Sequence, residues 1–150
     1  MAETITLLPE PLFAALQKDS FALLSTIDFE SGAPSMNAIS WLYAKESGTI
    51  RFAVDQRSRI VSNIKQNPQL NLTFVGEGSV HAIYGNGRLV TDALEGVPFK
   101  LACFDIDISV VRDAMFYGAR ISSAPEYEKT YDKRAAEKLD TQVFEAMKKA

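Results

Sequence analysis

The stretch Phe52-Ala53-Val54-Asp55-Gln56-Arg57-Ser58-Arg59-Ile60, running on to Asn67 and Pro68, decides how this chain of 150 residues is read. Phe52 to Val54 has strand character, Asp55 to Arg57 is a short polar turn, and Ile60, Val61 and Ile64 fall on one helical face. Pro68 stops that helix. A strand therefore runs directly into a helix that begins at Ser58. The first N–H groups of such a helix are unpaired and its dipole presents its positive end. With the Ser58 hydroxyl and the guanidinium groups of Arg57 and Arg59 at the same place, the junction has the chemistry of a phosphate site. The same residues also make an ordinary helix start, because serine is a good N-cap and arginines near a helix end are commonly solvated charge.

Working outward, Met36–Ala44 and Thr49–Asp55 are β-rich runs joined by Lys45-Glu46-Ser47-Gly48, which predicts a hairpin. Phe21–Asp28 reads as a short strand buried on both faces, followed by a turn over Phe29–Pro34. Leu12, Phe13 and Leu16 have helical spacing after Pro9 and Pro11, so a short helix leads the chain. Downstream, Leu70–Val75 alternates, and a longer strand runs from Ser79 to about Val90. Gly85 and Gly87 within it predict a bend, a bulge or a neighbour packed on bare backbone. Phe104, Ile106, Ile108 and Val110 are expected to point inward, with Asp105, Asp107 and Ser109 outward and solvated. Ala114–Ile121 fits either a last strand or a loop. From Pro125 a helix is expected, with the stripe Tyr127, Tyr131, Ala135, Leu139, Val143 and Met147 at four-residue spacing. About six antiparallel strands, a mid-chain helix after Ser58 and a C-terminal helix make a mainly β chain, a β-barrel with α additions. Because the strands follow one another, an alternating βαβ nucleotide fold is excluded.

Composition narrows the function classes. The length predicts a single domain over residues 1–150. A formal net charge of −3, with no basic run, argues against nucleic acid as a partner. No apolar stretch approaches the ~20 residues that cross a bilayer and no leader pattern is visible, so a cytoplasmic protein without membrane contact is expected. Cys103 is the single cysteine, which rules out an intrachain disulfide and predicts a small buried apolar residue.

Few other residues carry chemistry. His81 is the only histidine; without companion carboxylates it predicts packing, or a place near a ligand, rather than a metal or a nucleophile. Asp105 and Asp107 share a strand face and are assigned no chemistry. Gly85-Asn86-Gly87 lacks the strand-to-helix context of a phosphate loop. Met115, Phe116, Tyr117 and Arg120 combine aromatic groups with a cation, suited to an interface or to covering a planar ligand. A micromolar phosphate ligand needs about 8 kcal/mol, more than the junction offers, so an apolar planar part must bury against neighbouring strands. Asn37–Trp41 and Phe52–Val54 are placed to receive it.

These residues resemble the pyridoxamine-5′-phosphate-oxidase-like FMN-binding split-barrel proteins, in particular their short bacterial group of general-stress and oxidase-related members. The resemblance rests on the strand, Ser58-Arg59 turn, helix and Asn67-Pro68 stop, and extends over roughly Phe21 to Val90. It implies an FMN-binding split barrel acting as a homodimer with the flavin at the interface. It implies Ser58 and Arg59 on the phosphate, Ala53 and Val54 beside the flavin through backbone, and Asn37, Ala38, Ile39, Ser40 and Trp41 along the ring edge. Arg57 is added on charge and proximity, with no metal and no identifiable catalytic residue. The implied activity is an FMN-dependent oxidoreductase working on a small-molecule electron donor or acceptor. A non-catalytic flavin-binding or sensing module, or a barrel using haem or a deazaflavin, are the alternatives. The chain departs from the phosphate oxidase at Ile60, where that enzyme has a basic residue, and at Asn37, near an arginine. It also lacks the extended C-terminal region that closes over pyridoxamine phosphate, so that oxidation is not the expected activity.

Overall fold

A computed structural model describes residues 5–150 and shows why the run Met36–Ala44 is not one strand. It breaks at Ser40-Trp41 into β2 (Pro34–Ile39) and β3 (Leu42–Glu46). The remaining elements in chain order are α1 (Glu10–Ala15), β1 (Ala22–Ile27), β4 (Thr49–Asp55), α2 (Arg59–Gln66), β5 (Gln69–Gly76), β6 (Ser79–Thr91), β7 (Leu101–Asp113) and α3 (Lys133–Lys149). The sheet has seven strands, one more than the expected number, in the order β2-β1-β5-β6-β7-β4-β3. Every described pairing is antiparallel.

The break dictates the shape. Flat, seven strands would hold β2 and β3 about 29 Å apart at the usual inter-strand spacing. The link through Ser40 and Trp41 reaches about 11 Å at most. The sheet must curl until its edges lie side by side, yet no ladder joins them, so the barrel is split between β2 and β3.

The concave side holds the main core, with Leu24, Phe52, Leu72, Ile83, Phe104 and Ile106 buried against Leu12 and Leu16 from α1 and Ile60, Val61 and Ile64 from α2. Phe52 and Phe104 stack at 5.4 Å between centroids. A polar pin fixes α2 in place. Asn63, buried in the helix, donates from Nδ2 to Thr26 Oγ1 at 2.9 Å, while its Oδ1 accepts the Phe29 N–H at 2.9 Å. The expected close packing at the glycines is present. A Cβ on Gly87 would lie 2.7 Å from Ile64 Cγ2, and one on Gly85 only 2.4 Å from the Asp107 carbonyl oxygen.

Several local expectations are corrected. β1 is buried on one face only, with Leu23, Ser25 and Ile27 half-buried on the other. β7 carries a bulge at Ser109, opposite Tyr84-Gly85, which reverses its alternation. Val111 therefore enters the core and Val110 turns outward. Ala114–Ile121, open between a strand and a loop in the sequence, is a loop. The last helix begins at Lys133, where the Asp132 side chain accepts the Arg134 N–H, so Tyr127 and Tyr131 precede it. Tyr127 packs edge-on against Phe21 and donates to Asp19 at 2.8 Å. Of the expected stripe, Val143 and Met147 are buried and Leu139 packs beside them, whereas Ala135 is exposed; Ala136 and Ala146 join the buried face, which covers Tyr43, Ala53, Leu101 and Cys103.

That second core overturns the reading of Asp105. Its side chain does leave the barrel, but α3 lies over it, leaving Asp105 2% exposed. It receives both arms of Arg51, at 2.7 and 3.0 Å. Arg51 Nη1 in turn donates to the carbonyls of Met147 and Ala150 at 2.8 and 2.9 Å, closing the C-terminal end of α3. Asp107, farther along the strand, remains exposed and pairs with Arg88.

Candidate cofactor site at the β4–α2 junction

β4 ends at Asp55, and Gln56-Arg57-Ser58 lead into α2. The Ser58 N–H donates to the Asp55 carbonyl at 2.9 Å, and Ser58 Oγ accepts the Ile60 N–H at 3.1 Å. Serine therefore caps the helix as its sequence position predicts. Arg57, with its side chain 90% exposed, leans on Asp55 at 3.3 Å and also donates its backbone N–H to that carboxylate.

Arg59 is engaged from across the fold. Its Nη2 donates to Asp28 Oδ1 at 2.7 Å and to Glu30 Oε1 at 2.9 Å, and its guanidinium lies 4.6 Å above the Phe29 ring. The Arg59 guanidinium holds the Asp28 carboxyl well below the usual carboxylate range, helped by the Ser31 N–H. Arg57 lowers Asp55 in the same way, and both arginines are raised by their partners. Three carboxylates thus surround two guanidinium groups at this junction. In the sequence Phe29–Pro34 reads only as a turn. The pairing joins positions 31 and 29 residues apart, and no local signal marks it.

The structure brings Arg57, Ser58 and Arg59 together and sets Trp41 against Ala53, whose N–H donates to the Trp41 carbonyl at 2.9 Å. Ala53 and Val54 are buried in β4. Trp41 is half-buried beside α3 and donates from Nε1 to Asp140 at 2.8 Å. Asn37 and Ala38 stay exposed on the edge strand β2, Ile39 is buried, and Ser40 is half-buried in the link. A cavity of about 450 Å³ adjoins the junction, lined by Asp55, Gln56, Arg57, Phe99 and Lys100, and so adds a cation and an aromatic ring. His81 stands elsewhere, stacked on Phe74 and bonded to the Gly76 carbonyl. Phe116 and Tyr117 are exposed on the loop after β7. Burial under α3 pushes the Cys103 thiol up to about 11, which leaves it unreactive at neutral pH.

The family model described as pyridoxamine 5′-phosphate oxidase matches residues 8–102, covering the barrel from α1 to the start of β7 and the whole junction. The chain belongs to the pyridoxamine 5′-phosphate oxidase family. A comparison with curated protein sequences found no match. Among solved structures, a Lactobacillus delbrueckii protein provisionally assigned as a pyridoxamine 5′-phosphate oxidase is 13% identical, with a TM-score of 0.62 over 73% of this chain and 97% of that one. The HupZ protein of Group A Streptococcus is 14% identical, with a TM-score of 0.60 over 77% and 99%. An F420 reductase is 21% identical, with a TM-score of 0.53 over 71% and 95%. These likenesses are of fold.

For a family member of this kind the donor set is the relevant test. A hydroxyl, two guanidinium groups and a helix N-terminus are the donor types a phosphate takes. The excess carboxylate charge opposes it. Among the described residues no group of three or more His, Cys, Asp and Glu is arranged to hold a metal ion, and no helix is long and apolar enough to cross a membrane.

Proposed function

We propose that this protein binds FMN as a cytoplasmic homodimer and serves as an FMN-dependent oxidoreductase for a small-molecule electron donor or acceptor. The observation that carries the reading is the placement of Arg57, Ser58 and Arg59 at the N-terminus of α2, within the segment that the family model matches. In this reading the Arg59 guanidinium, the Ser58 hydroxyl and the positive end of the α2 dipole bind the phosphate, with Arg57 at its outer side. Val54 and the link Ser40-Trp41 flank the planar part, and Asn37 and Ala38 border it from the edge strand. Bound flavin supplies the electron-transfer chemistry. The chain's own residues bind, orient and exclude water.

The dimer reading is supported by the convex face of β2, β1, β5 and β6. The register sets Met36, Ser25, Asn71, Tyr84 and Val110 in one row across the sheet, and Ala38, Leu23, Thr73 and Ala82 in the next. Met36 is 61% exposed and Tyr84 40%; the second row ends on β7 at Arg112, whose guanidinium lies 5.6 Å above the Tyr84 ring and is the one charged group in these rows. A sheet face with exposed Met and Tyr and a single arginine stacked on the tyrosine has the composition of an interface, and a second copy covers it through a twofold axis.

Titration of the purified chain with FMN, followed by flavin fluorescence, tests the cofactor. Saturable binding that Arg59→Ala weakens about tenfold supports the reading. Haem or deazaflavin uptake without FMN uptake would overturn it. Bleaching of bound flavin by a reduced nicotinamide separates an enzyme from a sensing module, and light scattering reports the dimer.

A further inference from the structure

The turn between β1 and β2 has a feature that phosphate binding alone does not require. Asp28, Phe29 and Glu30 wrap the Arg59 guanidinium on three sides, two carboxylates at its edge and a ring beneath it. The two acids are not equivalent. Asp28 is locked, since its Oδ2 accepts the Ser31 N–H at 2.9 Å, the Ser31 hydroxyl at 3.1 Å and the Glu30 N–H at 3.2 Å. Glu30 is held by the single contact to Arg59, and its side chain is 66% exposed. Asp28 and Phe29 therefore orient the guanidinium, whereas Glu30 occupies the donor that faces solvent. We infer that Glu30 is a built-in counter-ion which the phosphate of an incoming ligand displaces from Arg59, so that FMN is an exchangeable ligand of this protein and not a permanently seated group.

The inference rests on the FMN reading above and extends it from which ligand binds to how it is held. Two anions, the Glu30 carboxylate and the phosphate, compete for one position: while Glu30 sits on Arg59, the junction carries three negative charges against two positive ones. A ligand that displaces it must offset the lost ion pair as well as its own desolvation. Glu30 is a positioning residue here, acting through Arg59. Its side chain lies on an exposed turn, where substitution leaves the core untouched.

The test compares FMN and riboflavin binding by fluorescence titration at low ionic strength. The proteins are the wild-type chain, Glu30→Gln, Glu30→Lys and Glu30→Gln combined with Arg59→Ala. Removing an exposed ion-pair partner is worth about two- to fivefold, so Glu30→Gln tightens FMN by that factor. Glu30→Lys tightens it further, riboflavin is unmoved, and the gain disappears in the Arg59→Ala background. Equal FMN affinity in wild type, Glu30→Gln and Glu30→Lys overturns the counter-ion role and leaves the FMN reading standing. A gain that riboflavin shares, or that persists without Arg59, also overturns it. Absence of FMN binding in every protein overturns the FMN reading itself.

Discussion

Replacing Arg51 by methionine removes the one guanidinium that ties the barrel to α3. The side chains of Arg51 and Asp105 are 4% and 2% exposed, so this pair has lost its water on both sides. In the variant, Asp105 keeps only Arg88, at 3.6 Å and itself 58% exposed, and the carbonyls of Met147 and Ala150 lose their donor. Breaking a buried pair by removing one partner costs about 3–5 kcal/mol, because the remaining charge is stranded. For a chain of this size the melting temperature falls by about 6–20 °C. Replacing both partners, Arg51→Met with Asp105→Leu, should return stability to within about 2 kcal/mol of wild type, since an apolar pair of similar volume needs no compensation. Urea unfolding measures the cost, and hydrogen exchange shows whether protection is lost first over α3. If Arg51→Met falls within about 1 kcal/mol of wild type, the buried-pair reasoning and the docking of α3 over Asp105 are both wrong.

Other consequences follow from the same contacts. Asn63→Ala leaves Thr26 Oγ1 and the Phe29 N–H without partners, and a loss of about 2–3 kcal/mol in urea unfolding is expected; a neutral result would mean the pin is not formed. Gly87→Val forces α2 away from the sheet at Ile64 and should cost about 1–3 kcal/mol, with faster amide exchange in α2. Unchanged exchange would contradict the close packing. Asp28 and Asp55 are depressed in the folded chain by their arginines, so their contribution is present above the ordinary carboxylate range near pH 4 and is lost as pH falls below it. The urea midpoint should fall on acidification through that window, and Asp28→Asn should flatten the fall; a wild-type midpoint constant down to pH 3 would count against these pairings.

What was legible in the sequence was local. Ser58 as a cap, Asn67-Pro68 as a stop and the apolar face of Ile60, Val61 and Ile64 are neighbours along the chain, and they placed α2 and the junction. Gly85 and Gly87 announced close approach because no side chain fits where β7 and α2 cross them. What was not legible depends on partners far away. Nothing in Met36–Ala44 distinguishes one strand from two. The break at Ser40-Trp41 arises because β2 pairs with β1 while β3 pairs with β4, at opposite edges of the sheet. Asp105 reads as a solvated outward carboxylate until α3, which supplies Met147, is laid over it. The acids on Arg59 come from a turn that looked like a connection alone. The site's donors were thus visible in the sequence, and their occupants were not.

In the proposed reading the β4–α2 junction grips a phosphoryl group whose planar ligand lies between two copies of the chain. The decisive experiment is a crystal structure of the protein soaked with FMN. Phosphate density is expected within hydrogen-bond distance of Arg59 and the Ser58 hydroxyl, with Glu30 swung away and two copies meeting through Met36 and Tyr84. Flavin bound elsewhere, or Arg59 still closed on Glu30 with the copies joined through another face, would contradict it.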